Sequence, residues 1–122
     1  MNRQEPGERI ALKHGAGGPA MRALIQRMFV DGLAAAAPGE RIGLAALDDG
    51  AALQVGDRYL VITTDSYVVK PRFFPGGDIG RLAICGTVND LAMMGATEPL
   101  ALTAAVVLEE GFACADLERI RD

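Results

Sequence analysis

Thr63 to Leu102 concentrates the residues that could do chemistry. It reads TTDSYVVKPRFFPGGDIGRLAICGTVNDLAMMGATEPLAL and sets Asp65, Asp78 and Asp90 in apolar or glycine-rich surroundings. A carboxylate taken out of water is costly unless it is paired, hydrogen-bonded or metal-bound. A hard cation with an anionic ligand would explain all three acids at once. Asp65 follows a run that is apolar up to Thr63, and acids at strand ends often face sites built from loops. Asn89 and Asp90 fall inside an apolar helix, where polar side chains need partners. They either bond a neighbouring loop or form an acid–amide pair that holds a metal–phosphate group. Asp48-Asp49-Gly50-Ala51 joins two expected strands. Adjacent carboxylates on a strand point to opposite faces, so at most one faces a given site. Magnesium favours carboxylate and phosphate oxygens completed by water. Asp48 or Asp49, Asp65 and Asp90 are therefore the ligand candidates, and Asp78 reads as a helix cap.

A second candidate is the glycine-rich run His14-Gly15-Ala16-Gly17-Gly18. Backbone N–H groups in such a loop, with the helix start after it, can cradle a phosphate. No Gly-Lys-Ser/Thr follows and no G-x-G-x-x-G is present, so by itself the run equally describes a plain turn. Lys13 and His14 could add charge or a proton donor, although a lone histidine is more often structural. Phe73 and Phe74 in a Pro/Gly loop fill a core edge or meet another subunit or a ligand. Cys85 and Cys114 have no metal-ligand spacing and read as buried, reduced thiols. No Ser–His–Asp set can be argued.

The elements that must position these residues are mixed, which makes α+β the expected class. Residues 1–9 are a polar leader, and 10–122 fit one domain. Ile10 to Leu12 is a short apolar patch with strand character. Pro19 opens a helix over 20–36, with Met21, Leu24, Ile25, Met28 and Phe29 on one face and Pro38-Gly39 as its stop. Leu44–Leu47, Ala51–Val55 and Tyr59–Thr64 read as strands, with Gly56-Asp57 as a hairpin turn. Tyr67–Val69 continues the last of these after a break, and Pro71–Gly77 is a loop. A helix over 79–95 is apolar almost all round, the mark of a buried helix, and Gly95 closes it. Leu100–Leu108 is expected as a long strand, and Asp116 as the cap of a last helix.

Half of the 122 residues are hydrophobic and the net charge is −4. That balance argues against a general nucleic-acid binder, which needs a basic surface. No apolar run is long enough to span a bilayer, and the polar N-terminus lacks a signal-peptide core. The expectation is a cytoplasmic protein with no nucleic-acid or membrane partner.

Several of these runs together resemble a known family. They are His14 to Gly18, Asp48 to Ala51, Thr63-Thr64-Asp65-Ser66, Phe73 to Gly80, and Gly86-Thr87-Val88-Asn89-Asp90-Leu91-Ala92. From about Ile10 onward the chain resembles the N-terminal domain of the HypE family, carbamoyl dehydratases of NiFe-hydrogenase maturation. That family lies in the PurM-like superfamily of aminoimidazole ribonucleotide synthetase, selenophosphate synthetase and thiamine-monophosphate kinase. The acids and the Asn-Asp pair are common to the superfamily. The Phe-Phe-Pro-Gly-Gly-Asp and His-Gly-Ala-Gly-Gly runs point to the HypE branch.

The resemblance implies a mixed or antiparallel sheet covered by helices, which pairs with a second subunit to close a β-barrel. It implies ATP and Mg²⁺ as cofactors. Asp48, Asp49, Asp65 and Asp90 would bind metal; His14, Gly15, Gly17, Gly18, Ser66 and Asn89 would bind nucleotide. It implies a homodimer whose partners are a carbamoyltransferase and an iron-carrying scaffold complex. The family reaction also needs a second domain and a C-terminal cysteine that this chain does not display, so the chain alone is expected to be inactive. The alternatives are another ATP-dependent enzyme of the superfamily, or a non-catalytic dimerisation or docking module.

Overall fold

The computed structural model describes residues 9–33 and 40–122. The chain divides into two compact units, Met1–Ala37 and Pro38–Asp122. Residues 1–8 of the expected leader, residues 34–36 of the expected first helix and its Pro38-Gly39 stop lie outside the described residues.

In the first unit a 3₁₀ turn, Leu12–His14, precedes helix α1, Gly18–Ile25, which runs on into a single wider turn at Gln26–Val30. The expected strand at Ile10–Leu12 is absent, since nothing among the described residues pairs with it and the chain turns at Leu12 instead. Gly17 and Gly18 both hold positive φ, at 78° and 76°. Only glycine takes that conformation without strain, so the glycine pair is what lets the chain swing into Pro19. Val30 is buried, while Met21, Leu24 and Ile25 are half-buried.

The second unit begins with a three-stranded antiparallel sheet of β1 (Glu40–Ile42), β2 (Ala51–Val55) and β3 (Arg58–Ile62), in the order β1-β2-β3. β2 and β3 form the expected hairpin, with Val55 opposite Arg58 and Gly56 at φ 63° in the turn. The strand expected at Leu44–Leu47 is instead a 3₁₀ turn over Leu44–Ala46, and it ends on Leu47 in the left-handed region at φ 52°. Gly50 explains the tight passage that follows. A Cβ there would stand 2.8 Å from the Ile62 carbonyl oxygen and 3.2 Å from Met94 Cγ.

After β3 the chain leaves the sheet, and Tyr67–Val69 pairs with nothing among the described residues. The expected loop at Pro71–Gly77 contains a small hairpin, β4 (Phe73–Phe74) with β5 (Gly77–Asp78). Pro75 and Gly76 turn it, with Gly76 at φ 93° where a type II turn calls for glycine. Helix α2, Ile79–Met93, then starts on Asp78, whose Oδ1 accepts the N–H groups of Gly80 and Arg81 at 2.8 and 3.0 Å. Gly95 ends it at φ 83°, and the Ala96 N–H reaches back to the Leu91 carbonyl at 2.8 Å. Both ends follow the sequence expectation.

Three expectations fail on burial. Only Leu91 of α2 is buried, while Ile84 and Met93 are exposed, so among the described residues the apolar girth of this helix is largely uncovered. Cys85 and Cys114 are exposed free thiols, each on a helix surface left open by the described residues. Leu100–Leu108 makes no strand, since no edge among the described residues pairs with it, and Leu100 and Val107 are 93% and 97% exposed. Helix α3, Cys114–Arg121, closes the chain. Asp116 does not cap it; Asp116 lies inside its first turn and pairs with Arg72 at 2.7 Å.

Candidate functional site

The acid candidates are carried by the segment after β3, the turn before β2, and α2. The structure links some of them through one side chain. Thr63, just past the end of β3, donates its hydroxyl to the Asp49 carbonyl at 2.8 Å and lies 3.4 Å from Asp90 Oδ2. A hydroxyl has one proton, so the shorter contact holds it and Asp90 keeps acceptor capacity to spare. Gly50 makes this approach possible, since Thr63 packs beside its bare Cα. Leu47, left-handed without being glycine, stores strain at the entrance to the same turn.

Asp48 folds back locally, with its Oδ1 accepting the Asp49 N–H at 3.0 Å. Asp65 does the same with the Ser66 N–H at 2.8 Å. The Tyr67 hydroxyl beside it, followed by that N–H, holds the Asp65 carboxyl below the usual aspartate range. In return Asp65 pushes the Tyr67 phenol above its usual range, against a smaller opposing pull from Thr87. The Tyr67 hydroxyl is nevertheless buried without a partner in good hydrogen-bond geometry. Hydrogen bonds weaken steeply with misalignment, so Tyr67 acts on Asp65 as a nearby dipole rather than through a formed bond.

Tyr67 reaches α2 because Gly86 has no side chain. A Cβ at that position would collide with the phenol oxygen. Asp49, Thr63, Asp65, Tyr67, Thr87 and Asp90 are thereby tied together by direct contact or electrostatic influence. Asn89 is exposed one position before Asp90, and Asp90 is half-buried. None of the described charged residues is buried. The apolar surroundings of the three acids in the sequence therefore do not translate into desolvated carboxylates here.

Among the described residues no three acids, histidines or cysteines cluster as a ready-made metal cage. Magnesium is commonly held by one or two carboxylates, with water and substrate phosphate supplying the rest. Asp65, held below the usual aspartate range, and Asp90, with acceptor capacity to spare, are the two carboxylates that could offer oxygens to such an ion.

The other nucleotide candidates, His14, Gly15, Gly17 and Gly18, belong to the first unit. There His14 Nδ1 accepts the Ala11 N–H at 3.0 Å, and the His14 N–H bonds the Ala11 carbonyl at 2.9 Å. That nitrogen is thus a hydrogen-bond acceptor within its own turn, which gives the histidine a structural task. Lys13 is exposed.

Sequence reasoning singled out the acids but not the residues that join them. Thr63 and Tyr67 were not among the candidates. One signal for Tyr67 was available. Gly86 sits inside a helix, where glycine costs about 1 kcal/mol relative to alanine, and such a glycine often marks a close approach. The Phe-Phe loop has a partner the sequence did not suggest: Arg119 lies 4.0 Å from the Phe73 ring centre, and Arg72 lies 4.7 Å from that of Phe112.

Comparison with known proteins shows what the chain is similar to. The chain is 52% identical to the carbamoyl dehydratase HypE of Rhodobacter capsulatus over 93% of its length, which is 32% of that relative. It is 50% identical to the carbamoyl dehydratase HypE of Rhizobium leguminosarum bv. viciae, over 93% of this chain and 31% of that one. For the carbamoyl dehydratase HypE of Escherichia coli (strain K12) the identity is 46%, over 91% of this chain and 32% of that one. The chain thus spans about a third of the length of the curated relatives it matches. Residues 47–122 match the family described as AIR synthase related protein, N-terminal domain. Those residues include the linked acids, Thr63, Tyr67 and all of α2, and on that match the chain belongs to the AIR synthase related family and carries its N-terminal domain.

Proposed function

We propose that this chain is the ATP- and Mg²⁺-binding, dimer-forming part of a cytoplasmic hydrogenase maturation protein. In that reading the whole protein is a carbamoyl dehydratase. ATP phosphorylates the oxygen of a thiocarbamate carried on a cysteine of the same protein, and ADP leaves. Loss of phosphate and a proton then gives a thiocyanate, the source of cyanide for the hydrogenase iron. An amide-type oxygen leaves poorly and a phosphate leaves well, which is why the reaction needs ATP. The partners would be a carbamoyltransferase and an iron-carrying scaffold complex.

The observation that carries this reading is the Thr63 link between the Asp49 turn and Asp90, with an ionised Asp65 nearby. When bound, Mg²⁺ would neutralise phosphate charge, and Asp65 and Asp90 would hold it, with Asp48 or Asp49 in support. Asn89 and Ser66 would donate to phosphate oxygens. His14, Gly15, Gly17 and Gly18 would also bind nucleotide, as the family resemblance implies. The exposed, uncharged run from Leu100 to Leu108 supports pairing of sheets between two copies, because such a segment is hazardous if left bare.

Isothermal calorimetry tests the site. Mg²⁺-dependent binding of ATP is expected, lost in Asp65→Ala and in Asp90→Ala. Binding that survives both substitutions would reject these ligand assignments.

A further inference from the structure

Tyr67 is not a metal or nucleotide ligand in the reading above, yet its placement is unusual. Its hydroxyl is buried with no well-formed hydrogen bond. It lies over Gly86, at a point on α2 where any side chain would collide with it. Two residues earlier in the chain stands Asp65, and four residues further along α2 stands Asp90. The phenol therefore bridges the segment that carries one acid and the helix that carries the other. A buried polar group left unpaired is destabilising, and phenylalanine would fill the same space without that cost. The hydroxyl then needs a reason outside the stability of the unliganded chain.

We propose that Tyr67 is a positioning residue: its hydroxyl seats the Asp65 carboxylate against α2 when a divalent cation with its nucleotide binds, and Gly86 is the surface on which it turns. The inference rests on the magnesium–nucleotide reading of this site. In the unliganded chain Asp65 spends one oxygen on the Ser66 N–H. Cation binding fixes the other oxygen, and the Tyr67 O–H completes the geometry by donating to the carboxylate. The ring alone supplies the packing on Gly86. The hydroxyl acts through Asp65 and touches neither cation nor phosphate.

The test compares the chain with its Tyr67→Phe variant, using Mg²⁺ and ATP in calorimetry, Mn²⁺ alone in electron paramagnetic resonance, and thermal melting without ligand. The expected result is a melting temperature equal to or above the original, because the unliganded hydroxyl makes no full bond and its removal takes away an unpaired buried group. Cation and nucleotide affinity should fall about tenfold, the scale of one hydrogen bond to a charged group. Equal affinity in the two proteins overturns the role of Tyr67 and leaves the site assignment standing. A large drop in melting temperature also overturns it, by showing that the hydroxyl serves the fold. Absence of binding by the unsubstituted chain overturns both readings.

Discussion

Gly86 has no side chain because Tyr67 occupies the space one would need. Gly86→Ala should cost about 1–3 kcal/mol, the usual scale of overpacking, despite the better helix propensity of alanine. Urea denaturation measures it, and an unchanged midpoint would mean that the ring moves aside freely. The same tyrosine sets a pH expectation. Asp65 is held below the usual aspartate range first by Tyr67 and then by the Ser66 N–H. The ionised form is thus favoured in the folded chain. Whatever it contributes to stability is present above the unfolded-state pKa and is lost as pH falls through the lower folded value. Tyr67→Phe should move the Asp65 titration upward, toward the ordinary range. Carbon NMR of the carboxyl group follows this directly, and a midpoint that does not move would remove Tyr67 from the account of Asp65.

At the scale of elements, α2 was legible at both ends. Asp78 precedes the apolar run where a capping oxygen is needed, and Gly95 follows it where a left-handed residue is needed. Asp78→Ala should therefore cost about 1 kcal/mol, the typical loss of a cap. Asp116→Ala, which removes a partly exposed pair with Arg72, should cost less than about 1 kcal/mol. Chemical denaturation of the two variants gives the ranking, and the reverse order would show that the Arg72 clasp rather than the cap anchors this end of α2. The β2–β3 hairpin was equally readable from β-branched residues and Gly56-Asp57. Leu44–Leu47 was not, because alternation there is too short to tell a strand from a turn, and the left-handed Leu47 leaves no mark on residue type. The acids of the site were visible as polar residues in apolar runs. Thr63 was invisible, and Tyr67 was signalled only indirectly by Gly86 inside the helix, because β-branched and aromatic residues near a strand read as ordinary sheet formers.

At the scale of the whole molecule, the described residues leave much of their apolar surface uncovered. Among the described residues the buried hydrophobic ones are only Val30, Ala52 and Leu91, none of them a large side chain sealed from solvent. Leu100 to Leu108 carries no charge, and Leu100, Val106 and Val107 stand in solvent. Periodicity in a sequence reports that a segment wants burial but not which molecule provides it, and so a reading of 100–108 as a strand can fail within one chain. If a second copy supplies the missing edge, the chain should associate as its concentration rises, and sedimentation velocity should show a dimer. Val107→Lys should weaken that association by at least about tenfold. Burying a valine side chain is worth about 1.5 kcal/mol or more, and a charge at a sheet edge opposes pairing. The circular dichroism of the variant should match that of the unsubstituted chain, since the residue makes no strand within it. A chain that stays monomeric at several hundred micromolar, with or without the substitution, would rule out pairing through this segment.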